Sequence, residues 1–165
     1  MVYILMGVAG SGKTTVGKKM SKIFNYRFYD ADSFHPQINI DKMKQRLALD
    51  DNDRLPWLLK LSEHIKVWNS SDNVFLACSS LKSEYRKILT NNYIEDVKFI
   101  YLDVEYNVAL NRLNLRKDHF FSSSLLQSQF NILEISNEMV TVNANQNVEL
   151  ICEEIGSIIK DMNYE

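Results

Sequence analysis

The sequence is short of residues that mark several classes of protein. It has two cysteines in 165 residues, Cys78 and Cys152, and their separation fits no metal or redox spacing. A disulfide scaffold is thereby excluded; two thiols packed in a core, within a reducing cytoplasm, are the expectation. No apolar run approaches the roughly 20 residues of a membrane span. The longest, such as Val2–Met6 and Val74–Ala77, are only strand-length. A signal-peptide pattern is also missing. Charge of one sign is not in excess, since 19 Lys and Arg stand against 21 Asp and Glu. This balance excludes a globally basic nucleic-acid binder. Neither nucleic acid nor membrane is an expected partner. Repeats and low-complexity segments are absent. What remains is ordinary for a globular chain: 45% hydrophobic and 24% charged residues, enough for one core and one domain over 1–165.

Glycine is scarce too, and its placement is informative. Four of the five glycines (Gly7, Gly10, Gly12 and Gly17) fall within eleven residues. One turn therefore needs backbone freedom and close approach to something. That turn follows the apolar run Val2–Met6, read as a buried parallel strand. Further strands are expected at Arg27–Tyr29, Val74–Cys78, Val97–Leu102 and Met139–Val142. Helices are expected at Thr14–Phe24, Ile40–Leu47, Leu55–Trp68, Ser83–Thr90, Tyr106–Leu115, Leu125–Leu133 and Val148–Met162. Strands alternating with helices predict an α/β fold with a parallel sheet covered on both faces. Ligands then bind beyond the carboxyl ends of the strands.

Gly7-Val8-Ala9-Gly10-Ser11-Gly12-Lys13-Thr14 matches the phosphate-binding pattern G-x-x-x-x-G-K-[ST]. Its backbone N–H groups are expected to point at phosphate oxygens, with the following helix adding its positive dipole end. Lys13 reaches the β- and γ-phosphates, and the Thr14 hydroxyl is placed to ligate Mg²⁺. Gly7, Gly10, Ser11, Gly12 and Thr15 complete the expected nucleotide cradle.

Other segments bear on the acceptor. After the second strand comes Asp30-Ala31-Asp32-Ser33-Phe34-His35-Pro36. One carboxylate there suits the proton of an attacking hydroxyl, with Asp32 preferred and Asp30 pinning the loop. Two turn-forming, capping Asp residues are the even alternative. Asp53 reads as a helix N-cap with Pro56 in the first turn. Arg54 carries a fork suited to a carboxylate. Lys82 and Arg86 are four apart and so able to share a helix face, either toward an anionic substrate or as a solvated basic face. Arg112–Phe121 holds four potential cations and reads as a lid over the nucleotide or as a dipole-matched helix end.

Together these segments resemble the gluconate kinase family, a branch of the nucleoside-monophosphate-kinase-like P-loop proteins. The matching motifs are GVAGSGKTT at Gly7, DAD-x-x-HP-x-x-N at Asp30, KM at Lys42 and L-x-D-x-DR-x-PWL ending at Leu58. They continue with CS-x-LK-x-x-YR at Cys78, RL-x-x-R-x-x-HFF at Arg112 and SQF-x-x-LE at Ser128. The resemblance implies a three-layer P-loop fold with a five-stranded parallel sheet in the order 2-3-1-4-5 and a short lid at about 116–124. It implies transfer of the ATP γ-phosphoryl to the 6-hydroxyl of D-gluconate, with ATP and Mg²⁺ bound. Asp32 would be the base. His35, Arg54, Lys82, Arg86 and His119 would lie on the substrate side, with the cations on the sugar-acid carboxylate. Arg112 would stack on adenine and Arg116 would reach phosphate. Homodimers occur in that family, which makes a homodimer one option, although no interface is visible in this sequence. A kinase for another sugar acid, or an ATP- and gluconate-binding regulator with weak turnover, is the alternative. The chain departs from the family's usual residues at Ala31, Arg46, Ala48, Asp118, Ser136 and Asn143. None of these is a phosphate, metal or proposed base position.

Overall fold

The computed structural model describes residues 1–91, 95–116, 123–137 and 139–162. Five strands make one sheet: β1 (Val2–Met6), β2 (Arg27–Asp30), β3 (Val74–Ala77), β4 (Val97–Asp103) and β5 (Val140–Asn143). Their order is β2-β3-β1-β4-β5, and every pairing is parallel. The helices are α1 (Lys13–Phe24), α2 (Gln37–Lys44), α3 (Asp51–Ser71), α4 (Ser83–Thr90), α5 (Tyr106–Asn114), α6 (Ser123–Ile132) and α7 (Val148–Met162). This is the expected three-layer architecture.

Alternation along β1 explains the two layers of core. Tyr3 and Leu5 point to one face, where they join Val16 and Met20 of α1 and Ile151, Ile155 and Ile159 of α7. Val2 and Ile4 point to the other, against Trp57, Leu58, Leu61 and Ile65 of α3 and Leu89 of α4. A strand buried on both faces must be apolar throughout, as Val2–Met6 is. Both Cys78 and Cys152 are buried free thiols, as composition suggested.

The largest departures from the expected helix boundaries are in α2 and α3. α2 starts at Gln37 and stops at Lys44 instead of running from Ile40 to Leu47. It closes with a Schellman arrangement: Arg46 N donates to Met43 O, and Leu47 N to Lys42 O, both at 3.0 Å. This geometry puts Arg46 at φ 61°, the left-handed region that favours glycine. The Arg46 side chain is exposed, and among the described residues it makes no hydrogen bond or ion pair that offsets the strain. Arg46→Gly is expected to stabilise the fold by up to about 1 kcal/mol. A rise in Tm of about 2–4 °C checks this.

α3 begins at Asp51, not Leu55, and its N-cap is Asp50, not Asp53. Asp50 accepts from Asp53 N at 2.8 Å and Asp53 accepts from Asp50 N at 3.0 Å, a reciprocal capping box. Pro56 consequently lies in the second turn. Three nearby aspartates could each cap; the reciprocal bond selects one.

Candidate active site

The phosphate loop joins β1 to α1. Gly10 lies so close to α5 that a Cβ there would sit 2.5 Å from the Ala109 carbonyl oxygen, so only glycine fits. Gly12 precedes α1 at φ 101°. Lys13 Nζ donates to the carbonyls of Gly7 and Val8 at 2.9 and 2.8 Å. Burial pulls its pKa down, and nearby Asp32 is the foremost influence pushing it back up. Ser11 Oγ is buried without a hydrogen-bond partner. An orphaned hydroxyl inside a ring of backbone donors fits a site built to receive phosphate oxygens.

Thr14 Oγ1 donates to Asp30 Oδ2 at 2.8 Å, and Asp30 Oδ1 accepts from Asp32 N at 3.1 Å. Asp30 therefore ties the phosphate loop to the end of β2. It also caps the 3₁₀ turn Ala31–Phe34. Asp32 projects outward, its side chain 85% exposed. Both aspartates line the cleft, and Asp30 is the one that also caps the turn.

A single cleft of about 480 Å³ joins the nucleotide and acceptor sides. Gly10, Gly12, Lys13, Thr14 and Thr15 line it together with Asp32, His35 and Arg54, and Arg116 also borders it. All lie at the carboxyl ends of strands or on the connections that follow them. Arg112 is set beside the cradle, where it donates to Gly10 O at 3.5 Å and Gln146 O at 3.2 Å. His119 and residues 117–122 of the expected lid lie outside the described residues.

His35 is a neutral ring. Its side chain is 4% exposed and stacks on Trp57 at 4.2 Å. Burial, helped by the Arg54 charge, lowers its pKa to about 4. The unfolded chain binds this proton near pH 6.5 and the folded chain only near 4. Stability should therefore fall as pH drops through that window. Denaturant titrations at several pH values should show this slope, and His35→Gln should remove it.

Lys82 and Arg86 do not share a face. Lys82 precedes α4 and donates to both carboxylate oxygens of Asp51 at 2.8 Å. Asp51 also accepts from Tyr85 Oη, which accepts in turn from Arg54 Nη1 at 3.2 Å. Arg86 is buried and donates to the carbonyls of Ser80 and Leu81 at 2.8 and 3.1 Å. It braces a turn in which Ser80 has φ 46°. Neither cation is among the residues lining the cleft.

Some site residues had no chemistry assigned from sequence. Gln129 Oε1 accepts from Ala9 N at 2.7 Å and so anchors the phosphate loop from α6. Glu134 Oε2 accepts from Ser83 N at 2.7 Å, and Glu134 N donates to Leu81 O at 2.8 Å. Trp57 Nε1 donates to Ala31 O at 2.8 Å. The signal for them was their place inside the matched motifs, SQF-x-x-LE and PW, since their residue types suggested nothing.

A family profile described as shikimate kinase matches residues 9–160. A thermosensitive gluconokinase of Escherichia coli K12 is 40% identical over 157 residues, covering 92% of this chain and 83% of that protein. A gluconokinase of Arabidopsis thaliana is 41% identical over 146 residues, covering 81% and 77%. The chain belongs to the gluconokinase family. A gluconokinase structure from Sinorhizobium meliloti 1021 superposes with TM-score 0.86 at 32% identity, covering 99% of this chain and 95% of that one. Shikimate kinase from Aquifex aeolicus, at 20% identity and TM-score 0.59, shares the fold alone. No helix among the described residues is long and apolar enough to cross a membrane.

Proposed function

We propose that the protein transfers the γ-phosphoryl of ATP to the 6-hydroxyl of D-gluconate, giving 6-phospho-D-gluconate and ADP. One observation carries this: a continuous cleft runs from the phosphate cradle to Asp32, His35 and Arg54. A phosphoryl donor and a carboxylate-bearing polyol can meet there.

Each residue has a definite task. The loop amides and Lys13 hold the β- and γ-phosphates; Arg116 stabilises charge on the group in flight; Arg112 faces the adenine side. Asp32 accepts the proton of the attacking hydroxyl, which lies in line with the leaving oxygen. Arg54, steadied by Tyr85, takes the sugar-acid carboxylate. Lys82 supports that side through Asp51 and Tyr85, and Arg86 by holding the turn after β3. His119 is assigned to the lid.

The donor set also suits Mg²⁺. Thr14 hydroxyl and Asp30 carboxylate stand together at 2.8 Å, hard oxygen donors beside the cradle. Among the described residues no group of three metal-ligating side chains forms a complete cage. Such a shortfall is expected where phosphate oxygens and water fill the remaining positions. When bound, Mg²⁺ would neutralise charge on the β- and γ-oxygens.

The test is ADP release with Mg-ATP against D-gluconate, shikimate, AMP and other sugar acids. Turnover confined to gluconate supports the proposal; turnover with another sugar acid alone overturns the substrate. Arg54→Ala should raise KM for gluconate by about tenfold to a hundredfold, as for a lost charged hydrogen bond. Unchanged gluconate dependence would refute its contact role.

A further inference from the structure

Asn39 is a buried polar side chain beside His35, at 1% exposure. It comes from α2, which otherwise contributes little to the core. Its Nδ2 donates to the Asp53 carbonyl at 2.8 Å and lies 3.3 Å from His35 Nδ1. Turning the amide over would press Oδ1 against that carbonyl, two acceptors with no proton between them. The Asp53 carbonyl therefore dictates which way the amide faces. The second Nδ2 hydrogen is left for His35 Nδ1, which can receive it only as a lone pair.

We propose that Asn39 is a positioning residue that holds His35 with its proton on Nε2, so that the ring presents one fixed hydrogen-bond donor to a substrate oxygen beside Asp32. The Trp57 stack fixes the ring plane. His35 Nε2 stands 3.9 Å from Asp32 Oδ1, too far for a direct hydrogen bond. One substrate oxygen can sit within reach of both groups, accepting from the ring and donating to the carboxylate. Asn39 Oδ1 is buried without a partner. That unsatisfied acceptor is the cost of an amide orientation set by its nitrogen, and a purely structural asparagine would more simply be an apolar residue. The tautomer rests on geometry alone; the substrate oxygen rests on the gluconokinase reading above.

The two parts separate experimentally. Long-range ¹H–¹⁵N spectra of the wild-type protein at neutral pH, with His35 assigned by loss of its signals in His35→Gln, should show Nδ1 unprotonated and Nε2 protonated. A proton on Nδ1 overturns the proposal without any need for an Asn39 variant. Asn39→Leu should mix the tautomers and raise KM for gluconate about tenfold, with a smaller change in kcat. Asn39→Ser serves if the leucine variant does not fold. The His35→Gln variant carries a side-chain amide donor near the Nε2 position whatever residue stands at position 39. In the His35→Gln background, Asn39→Leu should therefore shift KM less than about twofold. A full tenfold penalty there would show a merely structural role and overturn the proposal. An Nε2-protonated ring in a protein that ignores gluconate would instead overturn the substrate and leave the tautomer standing.

Discussion

Asp32→Asn should lower turnover by about 10²-fold or more while ATP binding stays intact. The substitution keeps shape and removes the negative charge and, with it, the ability to take a proton. Thr14 and the 3₁₀ turn are held by Asp30, not Asp32, so the cradle and its cap survive the change. The Asp32 side chain is 85% exposed at the cleft and supports no core packing, so stability should be nearly unchanged. Single-turnover phosphoryl transfer, measured beside nucleotide titration, separates chemistry from binding. Near-normal turnover would remove Asp32 as the base. The matching Asp30→Asn should behave differently, loosening the loop and weakening nucleotide binding along with turnover.

Lys13→Ala should cost about 10²- to 10³-fold in kcat, the scale seen when one preorganised charged donor is lost. The ammonium is part-buried, and its hydrogen bonds go to the loop's own carbonyls at Gly7 and Val8. Phosphate oxygens would give it a far better electrostatic partner than two neutral carbonyls. Its burial, which disfavours the charged form, makes such an anionic partner more favourable. Lys13→Arg should not restore activity, because a planar fork cannot replace a point charge in so close a cradle. Turnover of Lys13→Ala within tenfold of wild type would show that the loop does not hold the transferred phosphoryl. Thermal unfolding of each variant separates loss of chemistry from loss of fold.

Both predictions rest on residues legible in the sequence, whereas Asn39 and Gln129 were legible only as letters in a motif. The difference is one of range. Gly7 to Thr14 is a local device: strand, turn and helix are consecutive, so spacing alone implies the cradle. Gln129 reaches Ala9 from 120 residues away, and no local pattern encodes that approach. Lys82 and Arg86 show the converse. Four-residue spacing suggested a paired basic face, yet Lys82 stands just before α4 and is held by Asp51. Arg86 turns inward to carbonyls because Ser80 and Leu81 offer it buried acceptors.

The alternation of strands and helices, the phosphate loop, and the aspartate and arginine of the acceptor side can all be read from the order of residues. Short apolar runs, glycine placement and charge type are local properties that survive without a fold. Assembly of the sheet was needed to settle which aspartate caps α3, which of Asp30 and Asp32 caps the turn after β2, and which cations line the cleft. It was needed, too, to make His35 neutral and to orient it by a buried amide. Those outcomes depend on burial and on hydrogen bonds between segments that meet only in the folded chain, and desolvation then makes each such contact count.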